Sequence, residues 1–420
     1  MKAFEKFKSL KVEKLKKETM KRTIIIAAAI IYCTFASAQK AETIESFIST
    51  SHEPEWYARQ IEAWQKKVDA NPKDEWAWRN LFRATNYHEM FTTGYGDEDK
   101  SPSADIIKKM EKAIPDSYAL NLCKGRYCLR SDSAAMRGDN IYRAIELMPE
   151  EVCAEDVNYL ACRLWSIDPE NPKVGELFRQ AYRMKYYPTR IMHYNMNMLR
   201  SMQPEALYFA NGDVLLGPMK MMQAALDERT DVTVIPLSYL HSPNYLQALF
   251  RRLDIKPKTF NVEDYGQYGE DWEKHFEADI IMYLIKESKR PTYFSTDILS
   301  HTCLDKDSIY NEGLLLKYST RQYDNFSVAM KNVREVYHLE YLAEPDLVYD
   351  SWEASQRLDL NHVTLFSHLV SKFRKKGETE QADRLHDILG KCIERCQLFD
   401  HPDAKAAIIE KFKKDTEEKE

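Results

Sequence analysis

Short β-branched or aromatic runs alternate with amphipathic helical segments between residues 206 and 318, and this alternation constrains the fold most strongly. The runs are ALYFA (206–210), DVTVIPL (231–237), RPTYFSTDI (290–298) and GLLLKYS (313–319). Helical spacing is present at about 216–226, at 242–253 and at 272–288. Strands that alternate with helices predict a small three-layer α/β domain whose sheet is mostly parallel and covered on both faces.

Paired helices with aromatic faces flank this region. The first helix shows its apolar residues at helical spacing, namely Trp56, Ile61, Trp64 and Val68. It must end before Pro72, because proline cannot continue a helix, and Asp74 can cap the helix that follows. Similar pairs recur up to residue 200 and again after Asn361, where Gly377 separates two helices. An aromatic helix, an Asn-Pro turn and a second helix are typical of tetratricopeptide-like hairpins, which bury their faces by stacking.

These patterns predict an α+α/β chain in which tetratricopeptide-like helical repeats flank the α/β domain. The expected parts are a leader with a signal peptide (1–38), a helical-repeat-like domain (39–203), the α/β domain (204–347) and a C-terminal helical hairpin with a charged tail (348–420). We expect the tail, KFKKDTEEKE, to fray. The scarcity of glycine, 12 residues in 420, fits a helix-rich chain because it leaves few tight turns.

The N-terminal segment MKRTIIIAAAIIYCTFASA is typical of a secretory signal. A basic head follows Met20, the apolar run 24–35 is too short to span a membrane, and small residues end the segment at Ala38. Cleavage near Ala38 predicts a periplasmic or secreted protein without a transmembrane segment in the mature chain. The alternative is a basic cytoplasmic arm with a signal anchor, and either Met1 or Met20 can be the start.

The charge of the chain argues against nucleic acid as a partner. Residues 1–38 carry nine Lys and Arg but only three Asp and Glu, so their removal changes the net charge from −6 to −12. Nucleic-acid binding needs a basic patch, which the mature sequence lacks.

Polar residues follow three of the predicted strands, at the edge where open α/β sheets bind ligands. These candidate residues are Asn211, Gly212 and Asp213 after the first strand, Ser238, Tyr239 and His241 after the second, and Thr296, Asp297 and His301 after the third. If they converge, their carboxylates and imidazoles can supply acid–base groups or metal ligands. The alternative is structural: Gly212 permits a positive φ, Asp213 caps the following helix, and Ser238 or Ser242 caps the next.

Known catalytic and cofactor motifs are missing from the sequence. The turn NGDVLLGP fits neither a P-loop nor a dinucleotide-binding fingerprint, and neither a G-x-S-x-G nor an H-E-x-x-H motif occurs. His386, Cys392, Cys396 and His401 contain the residue types of a zinc site, but their spacing fits no standard finger and core packing is the alternative. We therefore predict no cofactor, no resident metal and no catalytic residue.

Four motifs between residues 206 and 347 resemble the soluble C-terminal region of bacterial protein O-mannosyltransferase-like membrane proteins. The matching residues are Asn211-Gly212-Asp213, Arg229-Thr230-Asp231-Val232, Leu237-Ser238-Tyr239-Leu240 and Pro291-Thr292-Tyr293-Phe294. The chain departs from this family at Val214-Leu215-Leu216-Gly217, where the family has polar and aromatic residues, and it lacks the multi-span membrane part that carries the transferase chemistry. The resemblance therefore implies a shared exported module without transferase activity.

Two hypotheses of function follow. The first is an exported, non-catalytic scaffold whose repeats bind a protein or peptide. The second is a periplasmic accessory of protein glycosylation that binds a glycan or a sugar phosphate, with enzyme activity left open. The 25 tyrosines could stack on sugars, although aromatic residues at helical spacing more commonly form a core.

Overall fold

The computed structural model describes residues 40–94, 101–127, 134–344, 352–396 and 402–416. The predicted leader and its cleavage site lie outside these residues. The chain divides into two compact units. The described parts of the first are residues 40–44, 52–94 and 101–123, and those of the second are residues 45–51, 124–127, 134–344, 352–396 and 402–416. Among the described residues, every helix is too short or too polar to cross a membrane.

The first unit is helical. Its helices are α1 (Pro54–Ala70), α2 (Glu75–Thr92), α3 (Pro102–Ala113) and the start of α4 (Tyr118–Arg126). The helix α1 ends before Pro72 as predicted, and the Asp74 carboxylate accepts a hydrogen bond of 3.0 Å from the Ala77 amide. The rings of Tyr57 and Tyr87 meet edge to face at 5.6 Å, so α1 and α2 pack as a hairpin. The hairpin is confirmed, while the tetratricopeptide type remains a prediction.

The second unit begins with further helices and then forms the sheet. Its helices before the sheet are α5 (Ala134–Glu146), α6 (Ala154–Ile167), α7 (Pro172–Arg183) and α8 (Thr189–Ser201). The five strands are β1 (Leu207–Ala210), β2 (Thr233–Pro236), β3 (Thr292–Phe294), β4 (Ile309–Asn311) and β5 (Leu316–Tyr318). Every residue of β1 and β2 is buried, which requires cover on both faces, as predicted.

The strand order β2-β1-β3-β5-β4 makes the sheet mixed rather than mostly parallel. The strand β1 is parallel to both β2 and β3, with Leu207 opposite Thr233 and Thr292. By contrast, β5 is antiparallel to β3 and to β4. A tight turn joins β4 to β5, with Gly313 at φ 112° and its amide bonded to the Asn311 side chain at 2.9 Å. So short a connection can only produce an antiparallel pair, and the sequence analysis missed β4.

Helices and short turns connect the strands. They include α9 (Asp213–Leu226), α10 (Pro243–Leu253), α11 (Trp272–Ser288), α12 (Ile298–His301) and a 3-10 turn at Leu237–His241. The helix α13 (Asn325–Lys331) follows β5. The helix α9 begins three residues before the predicted start, whereas α11 has the predicted bounds. Ser242 caps α10 as one alternative predicted, accepting a hydrogen bond of 3.4 Å from the Tyr245 amide.

Three helices end the described chain: α14 (Glu353–Lys375), α15 (Thr379–Arg395) and α16 (Pro402–Thr416). Gly377, at φ 76°, separates α14 from α15 as predicted. The prediction of a fraying tail is wrong for residues 411–416, which belong to α16. Phe412 explains the difference, because its ring is buried and stacks on His386 at 5.0 Å. Residues 417–420 lie outside the described chain.

A buried ion pair connects α8 with α14. The Arg190 Nε donates to the Asp359 Oδ2 at 2.6 Å, and the Arg190 Nη1 donates to the Tyr341 carbonyl at 3.3 Å. Arg190 is 2% exposed and Asp359 is 1% exposed. Removing one partner of such a pair strands the other charge in the interior, so this contact fixes α8 firmly in place.

Candidate functional site

The Asn211-Gly212-Asp213 turn connects β1 to α9. Gly212 has φ 101°, a value that favours glycine, so this part of the structural interpretation is confirmed. The predicted cap by Asp213 is wrong, because Asp213 is already the first residue of α9 and its carboxylate accepts no hydrogen bond from the described residues. Its side chain keeps contact with solvent, but the protein around it removes hydration and raises its pKa. The positive charges of Arg126 and Arg163 offset part of that increase.

Tyrosine hydroxyls tie this turn to the segment before α8 and tie the next turn to α6. The Tyr187 hydroxyl donates to the Asp213 carbonyl at 3.0 Å, and the Tyr239 hydroxyl donates to the Cys162 carbonyl at 2.7 Å. Burial, followed by the nearby charge of Asp213, raises the pKa of the Cys162 thiol. Asp213 and Tyr239 therefore belong to one neighbourhood, but the tyrosine contacts there are structural and Cys162 is held in its thiol form.

His241, which follows β2, contacts α11. The His241 Nε2 lies 3.0 Å from the Glu277 Oε1, and its ring stacks on Phe276 at 5.0 Å. Both partners belong to α11. Ser238 is exposed at the start of the 3-10 turn.

The third strand end forms a pair of its own. The Asp297 Oδ2 lies 3.3 Å from the His301 Nε2, one helical turn further along, and both side chains are about half exposed. Thr296 precedes them and is half-buried.

The predicted carboxylates and imidazoles thus form three separate groups at the carboxyl edge of β1, β2 and β3. Within the described part of the chain, no hydrogen bond or ion pair joins Asp213, His241 and Asp297 to one another. Nowhere in the described residues do three His, Cys, Asp or Glu side chains form a group that could hold a metal ion. The edge contains the predicted side chains without one shared reacting centre.

The C-terminal cysteines pack against α14. The Cys392 Sγ lies 3.6 Å from the Asp359 carbonyl, and the Cys396 Sγ lies 3.7 Å from the Gln356 Oε1. Both are buried, and burial raises the pKa of the Cys392 thiol. His401 lies outside the described residues. These contacts agree with the packing alternative for this cluster.

A cavity of about 520 Å³ lies among α7, α8 and α9 of the second unit. We call it the methionine cleft. Its residues include Met192, Met196, Met221, Met222 and Leu226 as apolar walls and Arg183, Lys185, His193, Arg200 and His338 as basic groups. Among the described residues, neither aspartate nor glutamate lines the methionine cleft, which is apolar with basic groups around it.

Helical spacing builds the cleft. Met192, Met196 and Arg200 recur every four residues and so share one face of α8. Across from them are Met221 and Met222 of α9. Met192 and Met196 are only half-buried, which leaves their thioethers open to a ligand. Sequence reasoning missed this site, because methionines at such spacing also indicate an ordinary core.

The basic groups of the cleft differ in their freedom to bind an anion. Arg200 pairs with Glu228, whose Oε2 lies 2.9 Å from the Arg200 Nη2. Burial lowers the pKa of His193, so it is mainly neutral at pH 7. Arg183 and Lys185 are exposed, and neither forms an ion pair with another described residue. These two cations are available to a bound ligand.

Comparison of the chain with protein-family models, with curated proteins and with solved structures found no match. The resemblance to the soluble region of O-mannosyltransferase-like membrane proteins stays a prediction from sequence motifs.

Proposed function

We propose that the protein is a non-catalytic, exported binding protein that receives a short apolar and acidic segment of a partner protein in the methionine cleft. The observation that carries this proposal is a cavity of about 520 Å³ with methionine walls and only basic groups among its charged lining residues. Export is inferred from the leader sequence alone.

The chemistry of the cleft favours a flexible apolar guest. Methionine side chains are unbranched and polarisable, so they adapt to different guests and are common at surfaces that bind more than one peptide. The volume falls within the roughly 300–1,000 Å³ range of small-ligand sites, which suits two or three side chains of an extended or helical segment. A whole domain face would need a much larger surface.

The positive charge of the cleft favours acidic segments over basic ones. Arg183 and Lys185 lie at the end of α7 and in the turn that follows it, where Lys185 adopts φ 54°. Their unpaired positive charges attract carboxylates, whereas a basic segment would be repelled. An acidic segment with leucine, methionine or phenylalanine is therefore the partner that fits.

The separation of the predicted acid–base groups supports a role without catalysis. General acid–base chemistry needs groups within hydrogen-bond reach of one substrate atom, and His241 and Asp297 each engage a different neighbour. The alternative of a glycosylation accessory with a reacting centre at this edge is correspondingly weaker.

Fluorescence polarisation with a labelled synthetic peptide of Asp, Glu, Leu and Met tests this proposal. The Arg183→Glu/Lys185→Glu variant should weaken binding by about tenfold or more, because two attractions become repulsions. The Lys286→Glu/Lys306→Glu variant changes the same charge at exposed positions outside the cleft and should bind like the wild type. A matched peptide with Lys in place of Asp and Glu should not bind. Equal binding of both peptides, or equal loss in both variants, would refute a charge-selective cleft.

A further inference from the structure

A second cavity of the second unit, of about 370 Å³, lies among α6, α7, α9, α10 and the start of β2. We call it the lysine cavity. Its lining includes Trp165, Glu170, Lys220, Thr233, Tyr245 and Arg252. It lies at the amino-terminal end of β2, away from the carboxyl edge to which the sequence directs attention.

Lys220 brings a partly buried ammonium group to this cavity without a carboxylate partner. Its Nζ lies 3.1 Å from the Gln223 Oε1 and 5.2 Å from the centre of the Trp165 ring. The Gln223 amide is held in this orientation because its Nε2 donates to the carbonyls of Arg229 at 2.9 Å and Val232 at 2.8 Å. Among the described residues, Lys220 is not in an ion pair. In the part of the chain that the structure describes, the Lys220 amine contacts a neutral amide and an aromatic face.

Arg252 adds a second cation at the mouth of the cavity. Its Nη2 donates to the Thr230 carbonyl at 3.3 Å, and it forms no ion pair with the described residues. The acidic lining residue, Glu170, is already occupied, since Arg251 binds its two oxygens at 2.6 and 3.3 Å. The cavity therefore has an excess of positive charge.

Thr233 supplies an unpartnered polar atom. Its side chain is buried, with 3% of the residue exposed, and its Oγ1 has no hydrogen-bond partner in the described structure. A buried hydroxyl without a hydrogen-bond partner destabilises the folded state, and a ligand oxygen that accepts its hydrogen bond would remove that cost. The hydroxyl stands on the first residue of β2, which holds it in a fixed place.

We propose that the lysine cavity binds a small organic phosphate monoester that carries a ring. The phosphate contacts Lys220 and Arg252 and accepts a hydrogen bond from Thr233, while the ring lies against Trp165. Two cations and a hydroxyl match three phosphate oxygens, and the apolar walls suit a compact ring. This inference is independent of the peptide proposed for the methionine cleft.

Protonation of Lys220 gives the proposal a distinctive signature. Burial, aided by the charge of Arg252, lowers the pKa of Lys220 to about 7. Tyr245 faces the cavity as a neutral group, because burial raises the pKa of its hydroxyl. Burial, together with the positive charge of Arg290, lowers the pKa of Arg252. At about pH 8 the free amine is mostly neutral, whereas a bound dianion favours the ammonium form, so binding takes up a proton.

Titration calorimetry of the full chain with phenyl phosphate tests this proposal. In two buffers of different ionisation enthalpy at about pH 8, we expect uptake of nearly one proton per ligand. The Lys220→Met variant should abolish the uptake and weaken binding at least about tenfold. Thr233→Val, which removes only the hydroxyl, should weaken binding by about fivefold. Lys306→Glu, at an exposed position outside both cavities, should change neither quantity.

The competing outcomes are distinct. Benzoate has the same ring with a carboxylate, and inorganic phosphate has no ring, so both should bind more weakly than phenyl phosphate. Benzoate binding as tightly as phenyl phosphate would overturn the choice of phosphate. Unchanged affinity in Lys220→Met, or wild-type protein without saturable binding, would overturn the site itself. If Lys220→Met does not fold, proton uptake in Thr233→Val and Lys220→Arg decides the question, because only the latter should lose it.

Discussion

The methionine cleft and the lysine cavity use consecutive residues of one helix for opposite kinds of recognition. On α9, Lys220 lines the lysine cavity, while Met221 and Met222 line the methionine cleft. The cleft has apolar walls with exposed charge around it, and the cavity has a partly buried charge among aromatic walls. A difference of one position moves a side chain by about 100° around a helix, so one element can separate two sites of different chemistry. The lesson is that the surroundings of each side chain, more than the helix that carries it, decide which ligand is favoured.

The largest effect should come from the ion pair that fixes α8, the helix that contributes Met192 and Met196 to the cleft. Arg190→Leu removes the guanidinium group that pairs with the buried Asp359 carboxylate, so the free energy of unfolding should fall by about 3–5 kcal/mol in chemical denaturation. Arg200→Leu is the matched control on the same helix, because it removes an exposed pair and should cost less than about 1 kcal/mol. Similar losses in both variants would mean that burial of the pair contributes little.

The pH dependence of stability should distinguish the lysine cavity from the cleft. Because the pKa of Lys220 is lowered to about 7, the unfolded chain binds more protons than the folded chain from about pH 7 to its ordinary value. The contribution of Lys220 to stability therefore rises with pH across that window, by at most about 1.4 kcal/mol per pH unit. The difference in unfolding free energy between wild type and Lys220→Met measures it. A difference that stays constant with pH would contradict a lowered pKa.

A substitution in the cleft should affect one ligand only. Met196→Glu places a negative charge in the apolar wall, so the acidic peptide should bind about tenfold more weakly, while phenyl phosphate binding stays unchanged. Met196→Leu keeps the apolar volume and serves as the control, with a small change in peptide affinity. Loss of both ligands in Met196→Glu would show that the two sites are not independent.

The smallest effect belongs to Asp213, which the sequence places at the centre of a crevice. Since its carboxylate accepts no hydrogen bond in the described structure, Asp213→Ala should change stability by less than about 0.5 kcal/mol. It should also leave both peptide and phenyl phosphate affinity unchanged. A clear loss of either ligand would return the carboxyl edge of the sheet to consideration as a binding site.

Local signals predicted the framework of the fold well. Pro72 and Gly377 end helices through constraints that act within a few residues, and the runs of β1, β2 and β3 are continuous apolar segments. The strand β4 has only three half-buried residues, so it lacks such a run and depends on pairing with β5. The sheet was therefore predicted in its parallel half and missed in its antiparallel half.

The sites were harder to predict, because a cavity is a property of several elements at once. Met192 and Met196 have the spacing of core residues, and only the packing of α7 and α9 leaves them partly open. Lys220 lies in a helix like many surface lysines, and only Trp165 and Gln223 in their folded positions enclose it. The residues of the predicted crevice do not come together for the same reason, since His241 and Asp297 each contact a different partner.

The bond between Arg190 and Asp359 joins residues 169 positions apart in the chain. During synthesis Arg190 is added to the chain long before Asp359, so the two side chains cannot pair until the residues between them have been made. Such distant closure slows folding, because the intervening chain loses entropy before any contact rewards it. The helix α14 therefore supplies this contact late in synthesis, and we expect a chain that ends before α14 to lose the anchor of α8.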